Sequence, residues 1–246
     1  MRFKVELEYC GTSYCGFQKQ NDISQKSVEG VLQKALFDLT QSEVEIAVCG
    51  RTDAGVHALG QVIHFDLEKN FSPYQIVMGL NHHLKHEDVK VLNVFEVPAD
   101  FHARFDTKMR HYRYHVINRR APLVIQKDRA WHVAQKLDIS QIKKAAQYFL
   151  GEHDFSSFRD AECQAKSPIR TIEKCEVTAN GEEIIFEVSA KSFLHHMVRN
   201  MVGTLIYVGS GKIAADEIPQ IIAAKDRTKS GPNAPACGLY FCKVEY

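Results

Sequence analysis

The sequence has 246 residues, of which 45% are hydrophobic and 25% are charged, and its formal net charge is +1. A chain of this length can bury a substantial core, either as one large domain or as two closely packed halves. The composition is not that of a disordered protein, and no apolar run is long enough for a signal peptide or a membrane span. We therefore expect a cytoplasmic globular protein with no membrane partner.

The first half of the sequence alternates between strand and helix patterns. Ser27 and Ser72 each stand where a helix N-cap is favoured, and Pro73 follows Ser72 at the first helical position. The pattern predicts strand, helix, strand, strand, helix, strand, with these approximate bounds: Arg2–Tyr9, Ser27–Leu39, Val44–Cys49, Gln61–Leu67, Ser72–Leu84 and Val89–Val97.

The second half repeats this order with longer helices. Asn180 and Gly181 form a strong hairpin signal between two strands, and Ser192 is in position to cap a long helix. The predicted elements are, in order, a strand at Arg110–Asn118, a helix at Ile139–Leu150, strands at Ile169–Thr178 and Glu183–Ala190, helices at Ser192–Val208 and Asp216–Lys225, and a strand at Leu239–Glu245.

These two βαββαβ patterns predict an α+β fold made of two RRM-like or ferredoxin-like halves. We place the halves at residues 1–106 and 107–246. Each antiparallel sheet would carry its helices on one side, and the two sheets would join into one extended sheet. The loop-rich stretches contain basic or aromatic residues, as expected of loops that reach for a ligand. These stretches are Cys10–Gln25, Arg119–Ala134, His153–Pro168 and Arg227–Gly238.

Asp53 is the outstanding candidate for catalysis. It lies in the segment Gly50–His57, between glycines and two residues from Arg51. An aspartate in a turn often only caps the backbone. Arg51, however, would keep the pKa of Asp53 low, and an ionised carboxylate can act as a nucleophile or a base.

A stripe of positive charge runs from Lys108 to Arg129. It contains seven basic residues and one acid, so it carries +6 on an otherwise acidic chain. Such a stripe suits phosphate contacts, although a solvated strand and loop would show the same pattern. Its candidate RNA-contacting residues are Lys108, Arg110, Arg113, Arg119 and Arg120.

Tyr112 and Tyr114 should share one face of their strand, with Arg113 on the other face. Aromatic rings beside arginines stack on unpaired bases, but two tyrosines can also pack a core. In the helix predicted from Ser192, Arg199 lies on a different face from the apolar stripe. There it could meet a phosphate or the Asp53 carboxylate, or simply face solvent.

Seven cysteines without a C-x-x-C pair do not form a zinc pattern, and reduced thiols are expected. His82 and His86 are spaced i and i+4, but a third ligand with matching spacing is missing, so we expect no metal. The sequence also lacks a glycine-rich phosphate loop.

The sequence resembles the tRNA pseudouridine synthase A family nearly from end to end. The matching motifs occur in the family's order: Gly50–His57, Gly60–Val62, Phe101–Phe105, Tyr112–Tyr114, Phe155–Arg159, His195–Asn200, Ala224–Arg227 and Gly238–Tyr240. It departs from the family at Cys10, where Asp is common, at Phe17, where Trp is common, and at Lys85, where Pro is common. None of these departures touches the Asp53 motif.

The resemblance implies an isomerase that converts uridine to pseudouridine at positions 38 to 40 of the tRNA anticodon arm. It implies a homodimer that uses no cofactor and no metal. Asp53 would be the catalytic carboxylate, with Arg51 and Arg199 beside it and Tyr112 stacked on the target uracil, which must be flipped out of the stem. The catalytic loop would belong to the N-terminal half, and loops that contact tRNA to the C-terminal half.

Two alternatives are weaker. A non-catalytic RRM-like RNA-binding module would not need Asp53, because an acid near RNA phosphates only weakens binding. An aspartyl hydrolase would have Ser or Thr after the aspartate, whereas here Thr52 precedes it and Ala54 follows it.

Overall fold

A computed structural model describes residues 1–20 and 25–246, so the predicted loop from Cys10 to Gln25 lies partly outside the described residues. The chain divides into two compact units. Unit 1 comprises Met1–Lys108 and Phe241–Tyr246, and unit 2 comprises Met109–Tyr240. No helix in the described part of the chain is long and apolar enough to span a membrane.

Unit 1 has the predicted βαββαβ order. Its elements are β1 (Arg2–Tyr9), α1 (Val28–Thr40), β2 (Ala47–Val48), β3 (His57–Asp66), α2 (Pro73–His83) and β4 (Val89–Val97). Strand β1 pairs antiparallel with both β3 and β4, and β2 pairs with β3. The unit 1 part of the last strand, β10 (Leu239–Glu245), extends the sheet beside β3.

Both predicted caps of unit 1 are confirmed. The Ser27 hydroxyl accepts a hydrogen bond from the Gly30 N–H at the start of α1. At α2, Ser72 and Gln75 form a reciprocal capping box, and Pro73 follows in the first turn. Helix α2 ends at His83, so His82 and His86 do not share a helix face.

Unit 2 contains the other strands and helices: β5 (Met109–Asn118), β6 (Trp131–Val133), α3 (Ile139–Gln147), β7 (Gly151–Asp154), β8 (Ile169–Asn180), β9 (Glu183–Ala190), α4 (Met197–Gly209) and α5 (Ile218–Ala224). The strand order is β5-β9-β8-β7, with antiparallel pairing throughout. The short strand β6 pairs parallel to β5. The α+β class is confirmed, whereas β6 and β7 lie where no strand was predicted.

Two element boundaries differ clearly from the prediction. Strand β3 begins at His57, four residues before Gln61, because Ala58 already pairs with Tyr9 of β1. The long helix of unit 2 begins at Met197, and Ser192 does not cap it. The reason is His196, whose φ of 60° is left-handed and cannot continue a right-handed helix.

Helix α4 is the central element of unit 2. Eleven of its thirteen residues are buried, including Met197, Met201 and Leu205. A helix that is buried on nearly all sides cannot present a broad polar face to solvent. Polar groups of α4 must therefore find partners inside the protein, and those partners shape the candidate site.

Candidate active site

The Asp53 turn connects β2 to β3 and lies against an N-terminal loop of unit 1. Asp53 forms an isolated antiparallel bridge with Gly16. The Phe17 N–H donates to the Thr52 carbonyl at 3.0 Å, and the Val56 N–H donates to the Asp53 carbonyl at 3.2 Å. The backbone on both sides of the carboxylate is therefore fixed by hydrogen bonds.

Two glycines allow this close approach. A Cβ atom at Gly11 would lie 2.0 Å from the Val56 carbonyl oxygen, and the Gly11 N–H donates to His57 Nδ1 at 3.0 Å. Gly16 has a φ of +115° and would place a Cβ 2.8 Å from the Thr52 carbonyl oxygen. Any side chain at these positions would push the loop away from the turn.

A buried polar network holds the turn from beneath. The Tyr9 and Thr52 hydroxyls are 2.8 Å apart, and Gln61 Nε2 donates to the Tyr9 oxygen and to the Gly50 carbonyl. Burial raises the pKa of Tyr9 to about 12, and its hydrogen bonds with Thr52 and Gln61 oppose that rise. Tyr9 is consequently neutral at physiological pH.

These contacts leave the middle of the turn accessible. Arg51 and Ala54 are exposed and Asp53 is half-buried, while Thr52 and Val56 on either side are buried. A half-buried aspartate on a fixed backbone is well placed to meet a ligand. The expectation that Arg51 lowers the pKa of Asp53 remains a prediction.

In unit 2, strand β5 places Tyr112 and Tyr114 in different surroundings on one face. Tyr112 is half-buried and its ring meets Phe193 edge-on, with the centroids 5.1 Å apart. Tyr114 is fully buried, and its hydroxyl donates to the Pro235 carbonyl at 2.6 Å. Tyr114 is thus a core residue, and Tyr112 alone of this pair is left as a stacking candidate.

The basic stripe is partly neutralised by neighbouring acids. Arg113 lies 3.3 Å from Glu187, and Arg119 lies 3.2 Å from Glu182. Arg110 donates to the Lys191 carbonyl, and Arg120 is exposed. Lys108, also exposed, belongs to unit 1.

The start of α4 forms a charged cluster that the sequence did not reveal. His196 Nδ1 is 2.6 Å from Asp160 Oδ2, and the His195 and His196 rings stack with centroids 3.9 Å apart. The pKa of Asp160 is lowered by a backbone hydrogen bond from Glu162 and by His196. Asp160 stands directly after one matched motif, and this position is the only signal that could have identified it.

Arg199, one turn into α4, is oriented by the loop at residues 227–234. Its Nε donates to the Ala234 carbonyl at 2.7 Å, and the Ala234 N–H donates to the Arg199 carbonyl at 3.2 Å. The next residue, Asn200, donates to the Phe158 carbonyl and accepts from Arg227 at 2.8 Å. Three matched motifs, at 155–159, 195–200 and 224–227, therefore meet in unit 2.

Asn200 and Gly203 share the polar side of α4 with Arg199, but both are buried. A Cβ at Gly203 would lie 1.7 Å from the Pro232 carbonyl oxygen, which shows how closely the loop covers the helix. The polar side of α4 is thus an internal surface that fixes Arg199.

The comparison with known proteins agrees with these motifs. Residues 7–106 and 145–246 match the family described as tRNA pseudouridine synthase. Proteins named tRNA pseudouridine synthase A are similar over the whole chain: 49% identical in Neorickettsia sennetsu, covering all of that protein, and 47% identical in Azorhizobium caulinodans, covering 94% of it. The protein of that name from Anaplasma phagocytophilum is 44% identical, again over both full lengths.

Proposed function

Given that this chain belongs to the tRNA pseudouridine synthase family, we propose that it modifies the anticodon arm of tRNA at positions 38 to 40, with Asp53 as its catalytic carboxylate. Membership of the family makes the protein an isomerase that converts uridine in tRNA to pseudouridine. The fixed Asp53 turn is the observation that carries the assignment of the catalytic group.

The reaction breaks the bond between ribose and N1 of uracil, turns the base and rejoins it through C5. A carboxylate can serve this reaction by attacking the sugar carbon, adding to the uracil ring or removing a ribose proton. Each route needs an ionised aspartate held at the base. The bridge to Gly16 and the buried Tyr9 network support this role, because they fix the backbone that carries Asp53.

Binding of the flipped uridine is assigned to Tyr112, Arg51 and Arg199. A uridine stacked in a stem cannot be reached by the carboxylate, so the base must leave the stack. The half-buried Tyr112 ring can cover its face, supported by Phe193. Arg199 is held by Ala234, so its position is set before the substrate arrives.

The remaining assignments follow from the family resemblance. The protein would act as a homodimer, without cofactor or metal, in the cytoplasm. The half at 1–106 would carry the catalytic loop, and the half at 107–246 would supply loops that contact tRNA. Among its basic residues, Arg120 is available for phosphate, because it is exposed and no described carboxylate pairs with it.

The proposal is tested by tritium release from tRNA labelled at C5 of uridine. This hydrogen is lost only when C5 becomes the attachment point. Asp53→Asn and Asp53→Ala should reduce release at least a thousandfold, while tRNA affinity stays within a few fold. Asp138→Asn alters an exposed helix cap in unit 2 and should retain activity.

Two results would contradict the proposal. Release from wild type that survives Asp53→Ala would remove Asp53 from the mechanism. A wild-type protein that binds the tRNA without releasing tritium would instead favour a non-catalytic RNA-binding module. Mapping the pseudouridines in wild-type product would separately test the assignment to positions 38 to 40.

A further inference from the structure

The loop at residues 101–107 of unit 1 holds an aromatic ring in solvent. Phe105 is 73% exposed, although the loop around it includes the buried Ala103 and Thr107. The loop coincides with a matched sequence motif, Phe101–Phe105, that has no part in the site described above. Single exposed apolar side chains are common on protein surfaces, so the case for a binding role rests on how this ring is held and on its neighbours.

The exposure of Phe105 is not the result of a loosely held loop. The Ala103 N–H donates to His64 Nδ1 at 3.2 Å, and the Ala103 carbonyl accepts from the Thr107 hydroxyl at 3.0 Å and from the Tyr246 hydroxyl at 2.8 Å. Three hydrogen bonds, two of them to residues outside the loop, therefore fix the backbone two residues before the ring. A ring on such a support is ordered before a ligand arrives.

The neighbours of Phe105 are aromatic and basic. The His102 ring lies 4.3 Å from the Phe105 ring, tilted by 37°, and the Arg104 guanidinium lies 5.8 Å from its centroid. The nearest acid on the loop, Asp106, accepts a hydrogen bond from the His102 N–H at 2.7 Å. The acid thus also serves to shape the loop.

An exposed ring beside an arginine has the chemistry that binds unpaired bases. Any base can stack on such a ring, and the cation adds attraction for the base face and for phosphate. The loop is also coupled to the proposed catalytic segment, because the Thr107 hydroxyl lies 3.5 Å from Cys49 Sγ, immediately before Gly50.

We infer that Phe105 stacks on an unpaired base of the tRNA substrate, with Arg104 beside it. This inference rests on the proposed function for the identity of the RNA. It assigns the loop at 101–107 to substrate binding, separate from the chemistry at Asp53.

Three variants test the stacking. Phe105→Ala should weaken tRNA binding about tenfold, the loss expected for one stacked base. Phe105→Trp should keep wild-type affinity, because it preserves the ring. Tyr74→Ala is the matched control: Tyr74 is 72% exposed, also in unit 1, and its loss should leave affinity unchanged.

A fluorescence measurement separates stacking from a structural role. The chain has one tryptophan, Trp131, whose own response to each RNA is measured in wild type and subtracted. In Phe105→Trp the added signal should be quenched by tRNA and not by a fully paired RNA duplex, whereas Tyr74→Trp should show no added quenching with either RNA.

The outcomes are distinguishable from failure of the proposed function. The stacking inference is wrong if tRNA does not quench the added fluorescence of Phe105→Trp, or if Phe105→Ala binds tRNA as tightly as Tyr74→Ala does. This holds even when the wild-type protein releases tritium. If quenching occurs without any tritium release, the stacking stands and the enzyme assignment fails. A monomer–dimer shift caused by Phe105→Ala, with unchanged tRNA affinity per folded chain, would show that the ring contacts a second copy instead.

Discussion

Tyr9 links the geometry of the proposed catalytic turn to pH. Its hydroxyl is buried between Thr52 and Gln61, where a phenolate would lack water. Below pH 10 the tyrosine is neutral in both the folded and the unfolded chain. Between pH 10 and about 12 the unfolded chain loses the proton while the folded chain keeps it. The contribution of Tyr9 to the free energy of unfolding is therefore fully present below pH 10, and it is lost as the pH rises through this window.

Tyr9→Phe should remove this part of the alkaline destabilisation. One proton corresponds to a slope of about 1.4 kcal/mol per pH unit, so the free energy of unfolding of the variant should fall less steeply above pH 10. At neutral pH the lost hydrogen bonds should cost about 1 kcal/mol. Urea unfolding at several pH values measures both effects.

The control for this change is Tyr74→Phe, which removes an exposed hydroxyl from α2 of the same unit. It should leave both the slope and the neutral stability as in wild type. Equal slopes for the Tyr9 and Tyr74 variants would mean that Tyr9 ionises as easily in the folded chain as in the unfolded one. Water would then have access to the buried network beneath the Asp53 turn.

Among the helices, α4 shows how packing can set the position of a single arginine. The loop at 227–234 lies directly on this helix, with the Gly231 N–H donating to the Thr204 hydroxyl at 2.9 Å. The same loop supplies the Ala234 carbonyl that holds Arg199. Displacing the loop from the helix should therefore displace Arg199.

Gly203→Ala tests this coupling against Gly209→Ala. Both substitutions lie in α4, but a Cβ at Gly203 would meet the Pro232 backbone at 1.7 Å, whereas at Gly209 it would meet the flexible end of Ile142 at 2.5 Å. Gly203→Ala should lower stability by about 2 kcal/mol or more, and Gly209→Ala by less. Thermal unfolding measures the difference.

Activity provides a second readout for the same pair. At a temperature where both variants are folded, Gly203→Ala should reduce kcat/KM for tRNA about tenfold more than Gly209→Ala, because only the former moves the contact at Arg199. Equal activity of the two variants would show that the loop does not set the arginine.

The boundaries of α4 also show what sequence patterns can and cannot predict. The 3.6-residue spacing of Met197, Met201 and Leu205 correctly predicts a buried helix. The predicted start of the helix was wrong, because Ser192 is a good cap by residue type only. The actual start depends on the left-handed His196 and on its 2.6 Å contact with Asp160. That contact joins residues far apart in sequence.

Short strands were missed for a related reason. Strand β6, at Trp131–Val133, has only three residues and no alternation of its own, and it exists because it pairs with Val116 and its neighbours in β5. In contrast, Ser27, Ser72 and Gly181 act locally, and the elements they begin or connect were predicted correctly. Tertiary pairing is not encoded in a local pattern.

For the protein as a whole, the net charge of +1 conceals an uneven distribution of charge. The stripe from Lys108 to Arg129 was predicted to contact phosphates as a block. The structure divides it: Glu187 and Glu182 partly neutralise Arg113 and Arg119, while Arg120 and Lys127 are exposed. No carboxylate of the described residues pairs with either of the latter two. Counterion release should therefore depend more on each of these two than on Arg113 or Arg119.

The salt dependence of tRNA binding distinguishes the two groups. Each phosphate contact contributes about 0.7 to 0.9 to the slope of log K against log salt concentration. The double variant Arg120→Ala/Lys127→Ala should thus reduce the slope by up to about 1.8. Arg113→Ala should change the slope by less than half as much, because the wild-type Arg113 charge already faces Glu187. Filter binding between about 50 and 200 mM salt covers the range in which such slopes are measured. If Arg113→Ala flattened the slope more than the double variant, the ion pair with Glu187 would have to open on binding, and the phosphates would follow β5 instead of the loop after it.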